Sequence, residues 1–174
     1  METIPESVDV TVDSEENTDD GMTLTHLHFP NLLGETVPGI LLIPPAADTS
    51  PRPGVVCLPG TGGDAERLTH QRFYHQSPTT GPLFGWAREL ARRGFVTLSI
   101  SVKGTEKRRQ GPVNWEHEAK LLAPYGRSLM GVIVDETLRA ARIMAKCEAV
   151  DPQRIGLTGM SLGGNGTWYA MACA

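Results

Sequence analysis

RIGLTGMSLGGNGTWYAMACA, residues 154–174, decides how the whole chain is read. Arg154–Thr158 predicts a short strand and Gly163 onward predicts a helix. Between them lies Gly159-Met-Ser-Leu-Gly163, a Gly-x-Ser-x-Gly turn. A strand, a sharp turn and a helix around such a serine lift its hydroxyl above the edge of a sheet, with strained backbone at Ser161. Residues two before and two after the serine then approach closely, so glycine at 159 and 163 avoids a Cβ clash. Gly164 is expected to let the helix pack tightly on its strand. The helix start directs N–H groups and its positive dipole end at Ser161, where an oxyanion would develop. Ser161 is the predicted nucleophile. Without those flanking elements the pattern would be only a glycine-rich turn.

Working outward, the preceding segments alternate in kind. Ser128–Cys147 predicts the longest helix, with Met130, Val134, Leu138, Ala141 and Ala145 as its apolar stripe. Phe95–Ser101 and Val55–Leu58 are apolar runs of the sort that form strands covered on both faces. Leu83–Arg93 predicts a helix stopped by Gly94. From Pro53 onward the order is strand, helix, strand, helix, strand, helix. That alternation predicts right-handed crossovers and a mostly parallel sheet with helices on both faces. Thr23–Phe29 and Val37–Ile43 are expected to add an antiparallel N-terminal edge. The acidic stretch Asp13–Asp20 reads as a solvated turn or loose arm, which sets residues 1–22 apart as an acidic N-terminal arm.

A second chemical feature is Leu58-Pro-Gly-Thr-Gly-Gly-Asp64, which follows the strand at Val55. In a parallel sheet it opens at the same carboxyl edge as Ser161. Its glycines would let the Thr61 N–H turn toward a substrate carbonyl and form an oxyanion hole with the Leu162 N–H. At LPGTGGD, FVTLSISVKG, SLMGVIVDETLRAAR and VDPQRIGLTGMSLGG the sequence resembles the α/β-hydrolase superfamily, in its dienelactone hydrolase and acetyl xylan esterase-like branch. The resemblance runs from about Val37 to Ala174. It implies Ser161 as nucleophile, Thr61 and Leu162 amides as oxyanion donors, Gly159 and Gly163 as elbow glycines, and a small-molecule or carbohydrate ester as substrate. Pro59 stands where many relatives carry histidine. In the family the triad acid and histidine follow later strands, absent from these 174 residues. Residues 23–174 are therefore expected to be the N-terminal portion of a hydrolase domain, incomplete at the C-terminus and nearly inactive alone.

All five histidines precede Ser161. His26 and His28 fall on a leading strand, whereas His70, His75 and His117 fall in loops that could overhang the site. A base must reach the serine hydroxyl within about 3 Å and be oriented by a third group, so loop or pocket-lining roles are favoured for these three. The basic run Lys103–Arg109 would attract an acidic substrate or, the favoured reading, form a solvated loop.

Other classes fit less well. Gly60–Ala65 matches G-x-G-x-x-A, yet the next strand ends some forty positions later and is followed by Lys103 where a ribose-binding acid is required. A Walker A loop fails because no Lys-Ser or Lys-Thr follows either glycine cluster. A prolyl-oligopeptidase-type peptidase shares the elbow but carries a propeller ahead of it, and a non-catalytic chain keeps the elbow without the triad.

Composition agrees with a globular domain: 40% apolar, 21% charged, net charge −4. That charge gives no electrostatic case for nucleic acid or anionic membrane. No apolar run reaches the length of a membrane span, and METIPESVDV lacks a basic-then-apolar signal pattern, so the expected location is cytoplasmic. Cys57, Cys147 and Cys173 show no metal spacing and are expected to be buried free thiols. No metal or organic cofactor is implied, and the oligomeric state is left open.

Overall fold

The computed structural model describes residues 6–45, 50–71, 74–75, 83–108 and 115–174. Strand β1 is Thr11–Asn17, β2 Thr23–Pro30, β3 Thr36–Ile43 and β4 Arg52–Leu58. A short helix α1 (Ala65–Leu68) leads to a two-residue ladder of β5 (Tyr74–His75) with β6 (Leu83–Phe84), then helix α2 (Trp86–Arg92) and strand β7 (Val96–Ile100). Helices α3 (Trp115–Leu122) and α4 (Leu129–Ala145), strand β8 (Val150–Gly159) and helix α5 (Leu162–Cys173) complete the order.

Six strands form one mixed sheet in the order β1-β2-β3-β7-β4-β8. β7, β4 and β8 run parallel, whereas β1, β2, β3 and β7 pair antiparallel. The switch from β4 to its neighbours on either side puts the ends of β4 and β8 together at one edge.

β4 shows why the sheet needs two layers of helix. Val56 and Leu58 point into one cluster with Ile133 of α4, while Cys57 points to the other face with Leu68 of α1 and Ala87 of α2. Strand residues alternate faces, so an unbroken apolar strand requires cover on both sides. On the α4 side the approach is close: a Cβ on Gly54 would lie 2.7 Å from Met144 Cε.

Several expectations change. The supposed acidic arm contains β1, which pairs with β2 from Thr11↔His28 to Asn17↔Thr23. Backbone pairing with β2, not an apolar face, makes this strand, because all seven of its residues are exposed. Asp20, beyond the strand, is anchored rather than solvated: Arg88 and Arg92 bond its carboxylate at 2.7 and 3.1 Å. Burial opposes its ionisation, but hydrogen bonds from Thr18 and Arg88 and the arginine charges outweigh it and hold its pKa at about 2.

The predicted helix at 83–93 is shorter, because Leu83 and Phe84 pair with Tyr74 and His75. The face of α4 that enters the core is also different. Leu129, Ile133, Glu136, Ala140 and Met144 lie deepest, while Val134 and Leu138 form a flank against Ala170 of α5. A buried glutamate in the inner stripe disguised it. The cysteines divide as well: Cys57 is buried, Cys147 half-buried and Cys173 exposed. Burial pushes the Cys57 thiol pKa well up, which makes it an inert packing group. Among the described residues no helix is long and apolar enough to cross a membrane.

Candidate active site

β8 delivers its carboxyl end beside that of β4, pairing Cys57↔Thr158 and Leu58↔Gly159. The chain then reverses within two residues and enters α5. Ser161, at the cap position, has φ 54° and ψ −118°, the one positive φ among the described non-glycine residues. A non-glycine residue holds such a backbone only where its surroundings impose it. Here two glycines impose it. A Cβ on Gly159 would lie 2.4 Å from the Gly163 carbonyl, and one on Gly163 would lie 2.5 Å from the carbonyl oxygens of Leu58 and Pro59. The elbow is therefore clamped against β4 as well as against itself.

Gly164 is less crowded than expected, since a Cβ there would lie 3.3 Å from the Gly159 oxygen. The close helix approach belongs to Gly166, whose Cβ would meet Ile133 at 2.7 Å. That position carries no motif, so only the packed helices reveal it.

Ser161 is exposed, and it shares a cavity of about 290 Å³ with the loop 59–63, Arg67, Leu68 and Met160. Gly60 lies against the serine, since a Cβ there would be 3.4 Å from Ser161 Cβ. The loop folds on itself through Gly63 N–H donating to the Gly60 carbonyl at 3.0 Å. Thr61 lines this cavity, and Leu162 follows the serine as the first residue of α5. The first-turn amides of a helix have no intrahelical acceptor, and the dipole adds positive potential there.

A larger groove of about 870 Å³ lies between α4, α5 and the β2–β3 turn. It does not include Ser161, and its greater size reflects an open helix face rather than convergent chemistry. The smaller cavity is the functional candidate.

The loop after β7 is the main surprise at this edge. Lys103 and the Arg108 side chain are almost fully buried rather than solvated, and Arg109 lies outside the described residues. Glu136 of α4, fully buried, accepts from Arg108 at 2.6 Å, from Asn31 at 2.8 Å and from the Lys103 backbone N–H at 2.8 Å. Glu35 accepts from Lys103 Nζ at 2.7 Å, and Glu118 lies 3.3 Å from the same nitrogen. Burial raises the Glu136 pKa, opposed by the Arg108 charge and these donors. The loop in turn holds the one beside the serine: Ser101 Oγ accepts from Ala65 N–H at 3.0 Å, and Lys107 pairs with Glu66.

The histidines do not gather at the serine. His28, on β2, pairs with Asp13 at 2.9 Å on the exposed face of the sheet. His26 is on the same strand, His70 follows α1, and His117 lies on α3 rather than in a loop. The side chain of His75, on β5, lies outside those described. Of the histidines whose side chains are described, none lines the Ser161 cavity. Among the described residues, no three His, Cys, Asp or Glu side chains group as a metal site.

Comparison with known proteins agrees with this geometry. No protein-family model matches the chain. The α/β hydrolase psoB of Aspergillus fumigatus is 31% identical over 157 residues, 89% of this chain and 30% of that protein. YtaP of Bacillus subtilis, named as a hydrolase, is 28% identical over 130 residues, 75% of this chain and 42% of that one. A solved Bacteroides fragilis structure described as an acetyl xylan esterase superposes with a TM-score of 0.79 at 18% identity, over 94% of this chain and 44% of its own. The chain spans less than half the length of each. With sheet order, elbow and relatives in agreement, the chain has the α/β-hydrolase fold, similar to that of solved acetyl xylan esterases.

Proposed function

We propose that this chain supplies the nucleophile of a carboxylic-ester hydrolase that works through an acyl-enzyme on Ser161. The observation that carries the proposal is the forced backbone of Ser161, at φ 54°, beside a glycine loop and a helix N-terminus. Strain of this kind is maintained where it presents a reacting group. Ser161 Oγ attacks the ester carbonyl, and the Thr61 and Leu162 N–H groups hold the oxyanion. Collapse of the tetrahedral species expels the alcohol and leaves an acyl-serine, which water then cleaves.

Each half of that cycle needs a general base. The thirteen residues after Ser161 contain no His, Asp or Glu. We therefore expect the 174-residue chain to acylate slowly and to turn over esters little or not at all. The esterase names of its structural neighbours support the substrate class, and the ester bond fits an open cavity with no metal chemistry invoked.

The test is acyl trapping. Incubation with a nitrophenyl acetate excess, followed by intact-mass and peptide analysis, should show one acetyl group on Ser161 and none in Ser161→Ala. Sustained nitrophenol release abolished by Ser161→Ala would overturn the expectation of low turnover. Absence of any adduct would favour a non-catalytic chain that retains only the elbow.

A further inference from the structure

We propose that the outer edge of β8 is a self-association surface, where the β8 strands of two copies pair antiparallel about a two-fold axis at Gly156. β8 closes the sheet on one side and, among the described residues, pairs with β4 alone. Met160 N–H donates to the Leu58 carbonyl at 3.3 Å. Alternation along the strand therefore turns the amides of Ile155, Leu157 and Gly159 outward, away from β4. An open strand edge is a template for another strand, and folded proteins guard such edges with charge, proline or a bulge. The opposite edge of the sheet is guarded in that way. β1 carries Asp13, Glu15 and Glu16 and a register shift between Val12 and Ser14. β8 has Pro152 and an Asp151–Arg154 pair at its start, and none of these devices from Ile155 onward.

Charge and symmetry point to a second copy as the occupant. Charged residues make up 21% of the chain, with a net charge of −4, yet no charged side chain lies between Ile155 and Ala174. Two acidic chains can therefore approach through this surface without bringing like charges together. Centring the two-fold axis on Gly156 sets Ile155 opposite the second copy's Leu157, and Leu157 opposite its Ile155, all four with outward amides. A closed dimer requires such reciprocal contact. Gly156 meets its own counterpart, with no side chain to crowd the pair. A stable interface buries about 1,200–2,000 Å², more than a strand edge supplies alone. The remainder is available on α5. Its Ala170 packs with Leu157, and an axis normal to the sheet keeps both α5 helices on that one face. Trp168 and Met171 of α5 are 84% and 62% exposed, and interfaces favour such aromatic and methionine side chains.

The test is the mass of the 174-residue chain in solution, read by light scattering over a dilution series, with amide hydrogen exchange on the same samples. We expect a mass twice the 18.8 kDa of one chain at high concentration, falling toward that of one chain on dilution. The amides of Ile155, Leu157 and Gly159 should exchange more slowly in the dimer than in the monomer. Gly156→Lys and Gly156→Asp each set like charges opposite one another. A Cβ at Gly156 has no atom within 4 Å, so the fold accommodates both. Each should weaken self-association roughly a hundredfold, and an equal mixture of the two should restore it. A monomer at every concentration, assemblies larger than a dimer, or unaltered exchange at the three amides on dimerisation would each overturn the proposal. So would association that survives both variants, or a mixture that stays monomeric. The mass and exchange of the unsubstituted chain decide the matter without either variant, and none of these results alters the acyl-trapping test of Ser161.

Discussion

Two loops leave the same edge of the sheet, one after β4 and one after β7, and they use charge in opposite ways. The 101–108 loop carries the basic run, yet its Lys103 and Arg108 are sealed against three glutamates and make the loop part of the framework. The 59–64 loop is nearly uncharged, held by close backbone contact, and leaves a hollow beside the serine. A run of basic residues therefore says little about where a ligand meets positive charge. What matters is whether carboxylates elsewhere in the fold already face it. Here they lie on the β2–β3 turn, α3 and α4, outside the loop itself.

The contrast is open to direct attack. Removing the acceptor from the charged framework should have the largest effect: Glu136→Ala leaves Arg108, Asn31 and the Lys103 N–H without their shared partner, and should cost about 3–5 kcal/mol in urea unfolding. A loss below ~1 kcal/mol would show that the network is not structural. Next comes the backbone clamp. Gly163→Ala drives a methyl group to 2.5 Å from two carbonyl oxygens of the neighbouring strand end, and should cost about 2–3 kcal/mol while blocking any Ser161 adduct.

Ser101→Ala probes the bond between the two loops. It strands the buried Ala65 N–H and should cost about 1–2 kcal/mol, with Ser101→Thr recovering part of the loss. A smaller effect is expected from acid. Burial opposes ionisation of Glu35, but hydrogen bonds from Lys103 and Asn31, with the Lys103 and Arg108 charges, hold its pKa below the ordinary 4.5. Its folded value is thus below its unfolded one, so its stabilisation is present above pH 4.5 and is lost as pH falls below that value. Glu136, shifted up by burial, contributes in the opposite sense. Glu35→Gln should accordingly flatten the acid side of a stability–pH profile, and an unchanged profile would count against the pairing. Smallest of all, Arg67→Met should alter stability by no more than about 0.5 kcal/mol, because a partly exposed side chain is removed from a cavity wall.

Much of this arrangement was legible in the sequence. The strand–helix alternation and the glycines around Ser161 carry local signals, and each corresponds to a backbone requirement now visible in the fold. Other features had no local signal. Glu136 reads as a polar interruption of a helix until Arg108 and Asn31 are brought to it by the sheet. Arg67 reads as an ordinary helix residue, and only the loop before it and the elbow a hundred residues later make it a cavity wall. The strand at Thr11–Asn17 holds one apolar residue, Val12, and its acidic composition argued for solvent. Edge strands can satisfy both descriptions, since their charged side chains face water while their backbones pair.

The most direct test of the account is prolonged reaction with an excess of a fluorophosphonate probe, which reports attack by the serine without requiring deacylation. The account predicts a single adduct, mapped to Ser161 and absent from Ser161→Ala. No adduct, or an adduct on a different residue that persists in Ser161→Ala, would contradict it.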